Sequence, residues 1–161
     1  MVRQLQPWHA NVAKRQVKSP KIYLRDSGVL HSLLALPDKQ ALWGHPKVGA
    51  SWEGFMMEQA LRALGPAEAY FWATYSGAEL DLLLTAGGRS YGVEFKWTEA
   101  LRMTRSLLAA LDDLRLEHVW VVFPGDTAYP IHEKVTALPA GELSAIAQRI
   151  SPRRSDQEKR G

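Results

Sequence analysis

Apolar residues alternate with others along residues 78–85 and again along 91–97, and a period of two predicts a strand in each. Between them runs Thr85-Ala86-Gly87-Gly88-Arg89-Ser90, where Gly-Gly suits a two-residue type I′ turn. With Gly87-Gly88 as the turn, Thr85 pairs with Ser90, Leu84 with Tyr91, Asp81 falls opposite Glu94, and Glu79 faces Lys96. Leu80, Leu82 and Leu84 then share a face with Tyr91, Val93, Phe95 and Trp97. That face is expected to pack on a helix and leave the acidic face toward a cleft.

Helical spacing marks other segments. Asp26 or Ser27 can cap a short helix through about Leu36, after a short strand at Ile22-Tyr23-Leu24. A longer helix is expected from near Ser51 to just before Gly65-Pro66, with Trp52, Phe55, Met56, Ala60, Ala63 and Leu64 as its apolar stripe. At about 100° per residue, Glu53 falls at the edge of that stripe and Glu58 on the solvent side. A strand at 70–74, a helix at 103–114, a buried strand at 118–123, an extended stretch at 131–138 and a last helix at 141–150 complete the pattern. Residues 37–50 read as a loop, and residues 1–20 are polar and weakly patterned. The order helix, three strands, helix, strand predicts an α/β fold: a mixed β-sheet flanked by helices.

Composition narrows the class. In 161 residues, 46% are apolar and 23% charged, which is ordinary for a globular domain with a core of its own. No apolar run approaches the roughly 20 residues needed to span a bilayer, and the first residues do not resemble a signal peptide, so no membrane partner is expected and a cytoplasmic location is. Cysteine is absent, which excludes disulfides and thiolate chemistry. The five histidines are scattered, with no helical pair at ligand spacing. Net charge is only +3, but basic residues cluster at Lys14, Arg15, Lys18 and Lys21 and again at Arg153, Arg154, Lys159 and Arg160. Such clusters suit phosphate backbones and also solvated tails.

Two carboxylates set directly across an antiparallel ladder repel each other. A hard divalent cation relieves that repulsion, so Asp81 and Glu94 are candidate metal ligands. Lys96, two residues beyond Glu94, can hold a water or stabilise charge on a phosphate, and Glu53 can supply a third carboxylate. Those roles suffice for phosphodiester hydrolysis. The same alternation also fits a solvated strand face closed by a Glu79–Lys96 ion pair.

Gly77-Ala78-Glu79-Leu80-Asp81-Leu82-Leu83-Leu84 followed by Gly92-Val93-Glu94-Phe95-Lys96 resembles the PD-(D/E)XK nuclease superfamily. More narrowly, the chain resembles the carboxyl-terminal domain of unknown function that follows an AAA-type ATPase module in many prokaryotic proteins. Residues 18–30 are similar to that family's entry motif, Gly49-Ala50-Ser51-Trp52-Glu53-Gly54-Phe55 to its first core helix, and Tyr70-Phe71-Trp72 to the next strand. The resemblance implies a restriction-endonuclease-like core. It assigns the acidic helix position to Glu53, the metal-binding aspartate to Asp81, and the Glu-x-Lys pair to Glu94 and Lys96. It also implies Mg²⁺ or Mn²⁺ as cofactor, DNA as substrate and an AAA-type ATPase as partner, or else an inactive module that binds nucleic acid or protein. Residues 1–25 would be the remains of a winged-helix linker, 26–150 the nuclease-like domain, and 151–161 a disordered basic tail. No Gly-x4-Gly-Lys-Ser/Thr run occurs, so an ATPase of that kind is not expected within this chain. Trp97 also departs from the superfamily, which more often has a small polar residue after the lysine, and the 103–114 helix lacks the Gln…Tyr pair of some branches.

Overall fold

Gly87 and Gly88 turn the chain with φ of 57° and 74°, a conformation open to glycine because it lacks a Cβ. Thr85 consequently pairs with Ser90, Leu84 with Tyr91 and Leu82 with Val93, the register read from the sequence. The computed structural model to which this hairpin belongs describes residues 1–9, 19–65 and 68–150. The basic residues at 14, 15 and 18 and the tail from 151 onward lie outside the described residues.

Among the described residues, eight strands form a single mixed sheet. In chain order they are β1 (Val2–Pro7), β2 (Lys21–Leu24), β3 (Ala69–Ala73), β4 (Glu79–Ala86), β5 (Arg89–Phe95), β6 (His118–Phe123), β7 (Tyr129–His132) and β8 (Val135–Pro139). Across the sheet they run β2-β1-β3-β4-β5-β6-β8-β7. The helices are α1 (Ser27–Leu33), α2 (Lys39–Trp43), α3 (Val48–Leu64), α4 (Arg105–Asp113) and α5 (Ser144–Ile150). One core layer joins Met56, Met57 and Ala60 of α3 and Ile146 of α5 to Leu82, Leu84, Val93, Phe95 and Trp120. The other joins Leu107, Ala110 and Leu111 of α4 to Trp72, Leu80, Leu83, Val119 and Val121. Burial on both faces explains why β6 reads as an unbroken apolar run.

Several expectations need correction. Where the resemblance implies a winged-helix linker over 1–25, β1 lies parallel to β3 and antiparallel to β2, inside the sheet. Leu5 and Pro7 are the buried positions of β1, too few to produce a visible alternation. Residues 37–50 contain α2, capped by Asp38, and α3 begins at Val48. The extended stretch 131–138 is two strands, β7 and β8. On α3, Met57 is fully buried and Phe55 is exposed, so the apolar stripe is rotated from the expected one.

Glu58 is also buried, not solvated as the helical wheel suggests. Arg3 of β1 grips it through Nε and Nη2, the latter 3.0 Å from Oε2, and Arg25 Nε donates to the same oxygen at 3.2 Å. These hydrogen bonds, chiefly from Arg3, hold its carboxyl below the usual range despite burial. A helix predicted from its own periodicity cannot know that β1 and the residue after β2 bring two guanidinium groups to its flank. Arg3→Ala is therefore expected to destabilise the protein by about 2 kcal/mol in urea unfolding, since a buried carboxylate loses charged hydrogen bonds. The half-exposed Arg25 should cost less when truncated. Equal effects would mean that Arg3 does not anchor β1.

Candidate metal centre

The centre lies where β4 and β5 part. Trp72 of β3 pairs with Leu80 and Tyr70 with Leu83, so on β4 two residues, Asp81 and Leu82, stand opposite Phe71 alone. This bulge breaks the alternation: Leu80 joins the α4 layer while Leu82 and Leu84 stay in the α3 layer. The sequence places all three leucines on one face, and the extra residue is what the alternation hides.

Side chains replace the ladder beyond the last regular pair, Leu82 with Val93. Phe95 N–H donates to Asp81 Oδ2 at 2.9 Å, and Asp81 N–H donates to Glu94 Oε2 at 3.3 Å. Val93 and Phe95 pack in the α3 layer, and Trp97 touches Trp52 of α3 at 5.2 Å between ring centroids. By alternation Glu94 and Lys96 leave the strand on the other side. The two carboxylates meet where the ladder has opened, each accepting from a backbone N–H of the other strand. Asp81 and Glu94 are 5% and 6% exposed, the floor of the site.

Around that floor stands a wetter rim. Lys96 Nζ is 2.6 Å from Glu94 Oε1, so the expected Glu79–Lys96 pair gives way to a pair between Lys96, just past β5, and Glu94. Glu53 of α3 points to the centre, held by Tyr23 Oη at 2.6 Å. It lies on one helical face with Met57, Ala60 and Leu64, at spacings of four, seven and eleven residues. Lys21 was not among the residues singled out from the sequence for this centre. Its Nζ is 3.3 Å from both Glu53 Oε1 and Asp81 Oδ1 and also contacts Glu79. A cleft of about 450 Å³, walled by Lys21, Tyr23, Glu53 and Gly54, opens beside it.

Four carboxylates (Glu53, Glu79, Asp81, Glu94) therefore face two ammonium groups (Lys21, Lys96). Fully ionised, they leave two negative charges uncompensated. Burial, then the neighbouring charges of Glu94 and Glu53, pushes the Asp81 carboxyl up to about 8. Glu94 is raised as well, mainly by burial. Burial opposes the charge on Lys21, but Asp81 and Glu53 outweigh it and hold the ammonium above its usual range. Among the described residues no three carboxylates already converge as a metal cage. The donor set does fit a hard cation: oxygen ligands only, two of them buried, with an excess of negative charge that a divalent ion would cancel.

The raised Asp81 value fixes a sign. A carboxyl that holds its proton more tightly folded than unfolded favours the fold where the proton is present. Metal-free stability should therefore be fullest near pH 4 and decline as pH rises toward about 8. Melting temperatures in chelator between pH 5 and 9 should fall, and Asp81→Asn should flatten the fall. A rise across that range in the parent protein would contradict the buried-pair electrostatics.

Residues 48–143, from α3 to the turn after β8, match the profile of a domain of unknown function, DUF4143. The chain belongs to the DUF4143 family. Residues 1–40 match a second domain of unknown function, DUF8612. Glu53, Asp81, Glu94 and Lys96 thus lie in the DUF4143 segment, while Lys21 and Tyr23 come from the other. The chain is 48% identical over 143 residues to uncharacterized proteins of Mycobacterium bovis and Mycobacterium tuberculosis, covering 89% of its own length and 32% of theirs. It spans about a third of those relatives. No solved structure matches it. Among the described residues no helix is long and apolar enough to cross a membrane.

Proposed function

We propose that this DUF4143 domain is a divalent-metal-dependent phosphodiester hydrolase acting on DNA, with a restriction-endonuclease-like core of the PD-(D/E)XK kind. The observation that carries the reading is the buried Asp81–Glu94 pair at the parting of β4 and β5, with Lys96 on Glu94 and Glu53 across from it. The element order α3, β3, β4, β5, α4, β6 supports it, since it brings helix, hairpin and parallel strand around one centre.

Asp81, Glu94 and Glu53 would hold Mg²⁺ or Mn²⁺, which would polarise the scissile phosphate and lower the pKa of a bound water. The protein's own groups do the rest. Phe95 N–H fixes the Asp81 carboxylate, so one lone-pair direction is set before any ligand arrives. Lys96 Nζ, half-exposed and anchored on Glu94, can donate to a phosphate oxygen and favour the added negative charge of the transition state. Tyr23 Oη donates to Glu53 and keeps that carboxylate turned inward.

Partnership with an AAA-type ATPase belongs to the same proposal, and the greater length of the mycobacterial relatives leaves room for such a module. The test is supercoiled plasmid incubated with purified protein and Mn²⁺. Nicked or linear product that disappears with chelator supports hydrolysis. Intact plasmid at every metal concentration would turn the reading to a binding module that does not cut.

A further inference from the structure

Lys21 occupies the middle of the acidic rim, within 3.3 Å of Glu53 and of Asp81 and in contact with Glu79. Two of these three are proposed metal ligands. Its side chain arrives from β2, the strand beyond β1, and lies 5.4 Å from the centre of the Phe71 ring, which lines its path. Phe71 is the residue opposite the Asp81–Leu82 bulge. The bulge that aims Asp81 and the ring that guides Lys21 are therefore opposite sides of one strand pairing.

An ammonium held by three carboxylates does what a bound cation does: it cancels repulsion among groups that the fold forces together. It is disfavoured there when a divalent ion takes the same oxygens, because the two cations repel at that distance. Lys21 is about a quarter exposed at its side chain, so it has a route outward into the adjacent cleft, whose wall it forms. Lys96 differs: its close ion pair is with Glu94, and Asp81 and Glu53 act on it from longer range.

We propose that Lys21 is a tethered counter-cation which competes with the divalent ion for Glu53 and Asp81, so that β2 sets the metal affinity of the DUF4143 centre. This rests on the metal-site reading above. On this view the segment matched to DUF8612 contributes to the site and is not a neighbouring appendage.

Mn²⁺ binding measured by calorimetry on the full chain tests it. Lys21→Met removes the charge with little change in bulk, and the variant should bind Mn²⁺ about tenfold more tightly or better, given the strength of close charge pairs near a protein surface. Lys21→Arg should stay near the parent affinity. Lys21→Met leaves three negative charges in excess and could fail to fold, so Lys21→Met/Glu79→Gln is measured beside it. That double variant loses one charge of each sign and keeps the parent's balance. Tighter binding by it than by the parent shows that the ammonium blocks the ligands, since net charge is unchanged. Equal or weaker Mn²⁺ binding by both variants, with the parent itself binding Mn²⁺, overturns the competition and leaves the metal site standing. No Mn²⁺ binding by parent or variants overturns the metal site and the competition together.

Discussion

Asp81→Asn and Lys96→Ala are each expected to bring Mn²⁺-dependent plasmid cleavage down to background while the protein stays folded. The two act by different routes. Asparagine keeps an oxygen to accept the Phe95 N–H bond but removes the charge that would hold a divalent ion. It also lowers the repulsion around Glu94, so metal-free melting should hold or rise. Alanine at 81 would serve less well, because it leaves the buried Phe95 amide without its acceptor. Lys96→Ala removes a donor aimed at developing charge, a loss worth on the order of 10²–10³ in rate at comparable sites. Because Lys96 is half-exposed, its truncation opens no cavity. Gel assays across a Mn²⁺ series, with melting curves for each protein, make the comparison. Equal cutting by parent and both variants would mean that the activity belongs to a contaminant or another site.

Phe95→Ala, one residue away, should do the reverse: unfold the protein or nearly so. Its ring is 4% exposed and packs in the layer with Val93, Trp120 and the α3 methionines. Truncating such a ring costs about 3–5 kcal/mol from lost burial and the cavity left behind. Whole domains are typically stable by only about 5–15 kcal/mol, so this is a large share. The loss also falls between Glu94 and Lys96 at the end of β5, so metal binding should weaken along with stability. Urea unfolding followed by tryptophan fluorescence reads the change. A cost below about 1 kcal/mol would show that the layer repacks, which close-packed interiors rarely do.

Pairing Asp81→Asn with Phe95→Ala separates the two faces of one short segment. A charge change at the floor should remove function and spare the fold. Loss of a whole ring beneath it should remove the fold first.

Much of this was legible in the residues because it depends on neighbours in the chain. Gly-Gly can adopt positive φ at two successive positions, so Gly87-Gly88 set the hairpin register as far as Leu82 with Val93, one step short of Asp81 and Glu94. Helical spacing put Glu53 at the edge of a stripe beside Ala60 and Leu64, and Glu53 does face the centre, although the buried stripe is rotated toward Met57. Glu94 and Lys96 shared one side by the same local rule, with a period of two.

Tertiary structure decided the rest. The bulge at Asp81–Leu82 exists because β3 offers one residue where β4 has two, a mismatch between separate segments. Glu58 became buried because Arg3 of β1 and Arg25, just after β2, arrive from more than 30 positions away in the chain. Lys21 entered the centre for the same reason: β2 packs on β1, β1 on β3, and only that stacking sets its ammonium among Glu53, Glu79 and Asp81. Charge can be counted in a sequence, but which charges share a buried volume depends on how strands far apart in the chain are ordered in the sheet.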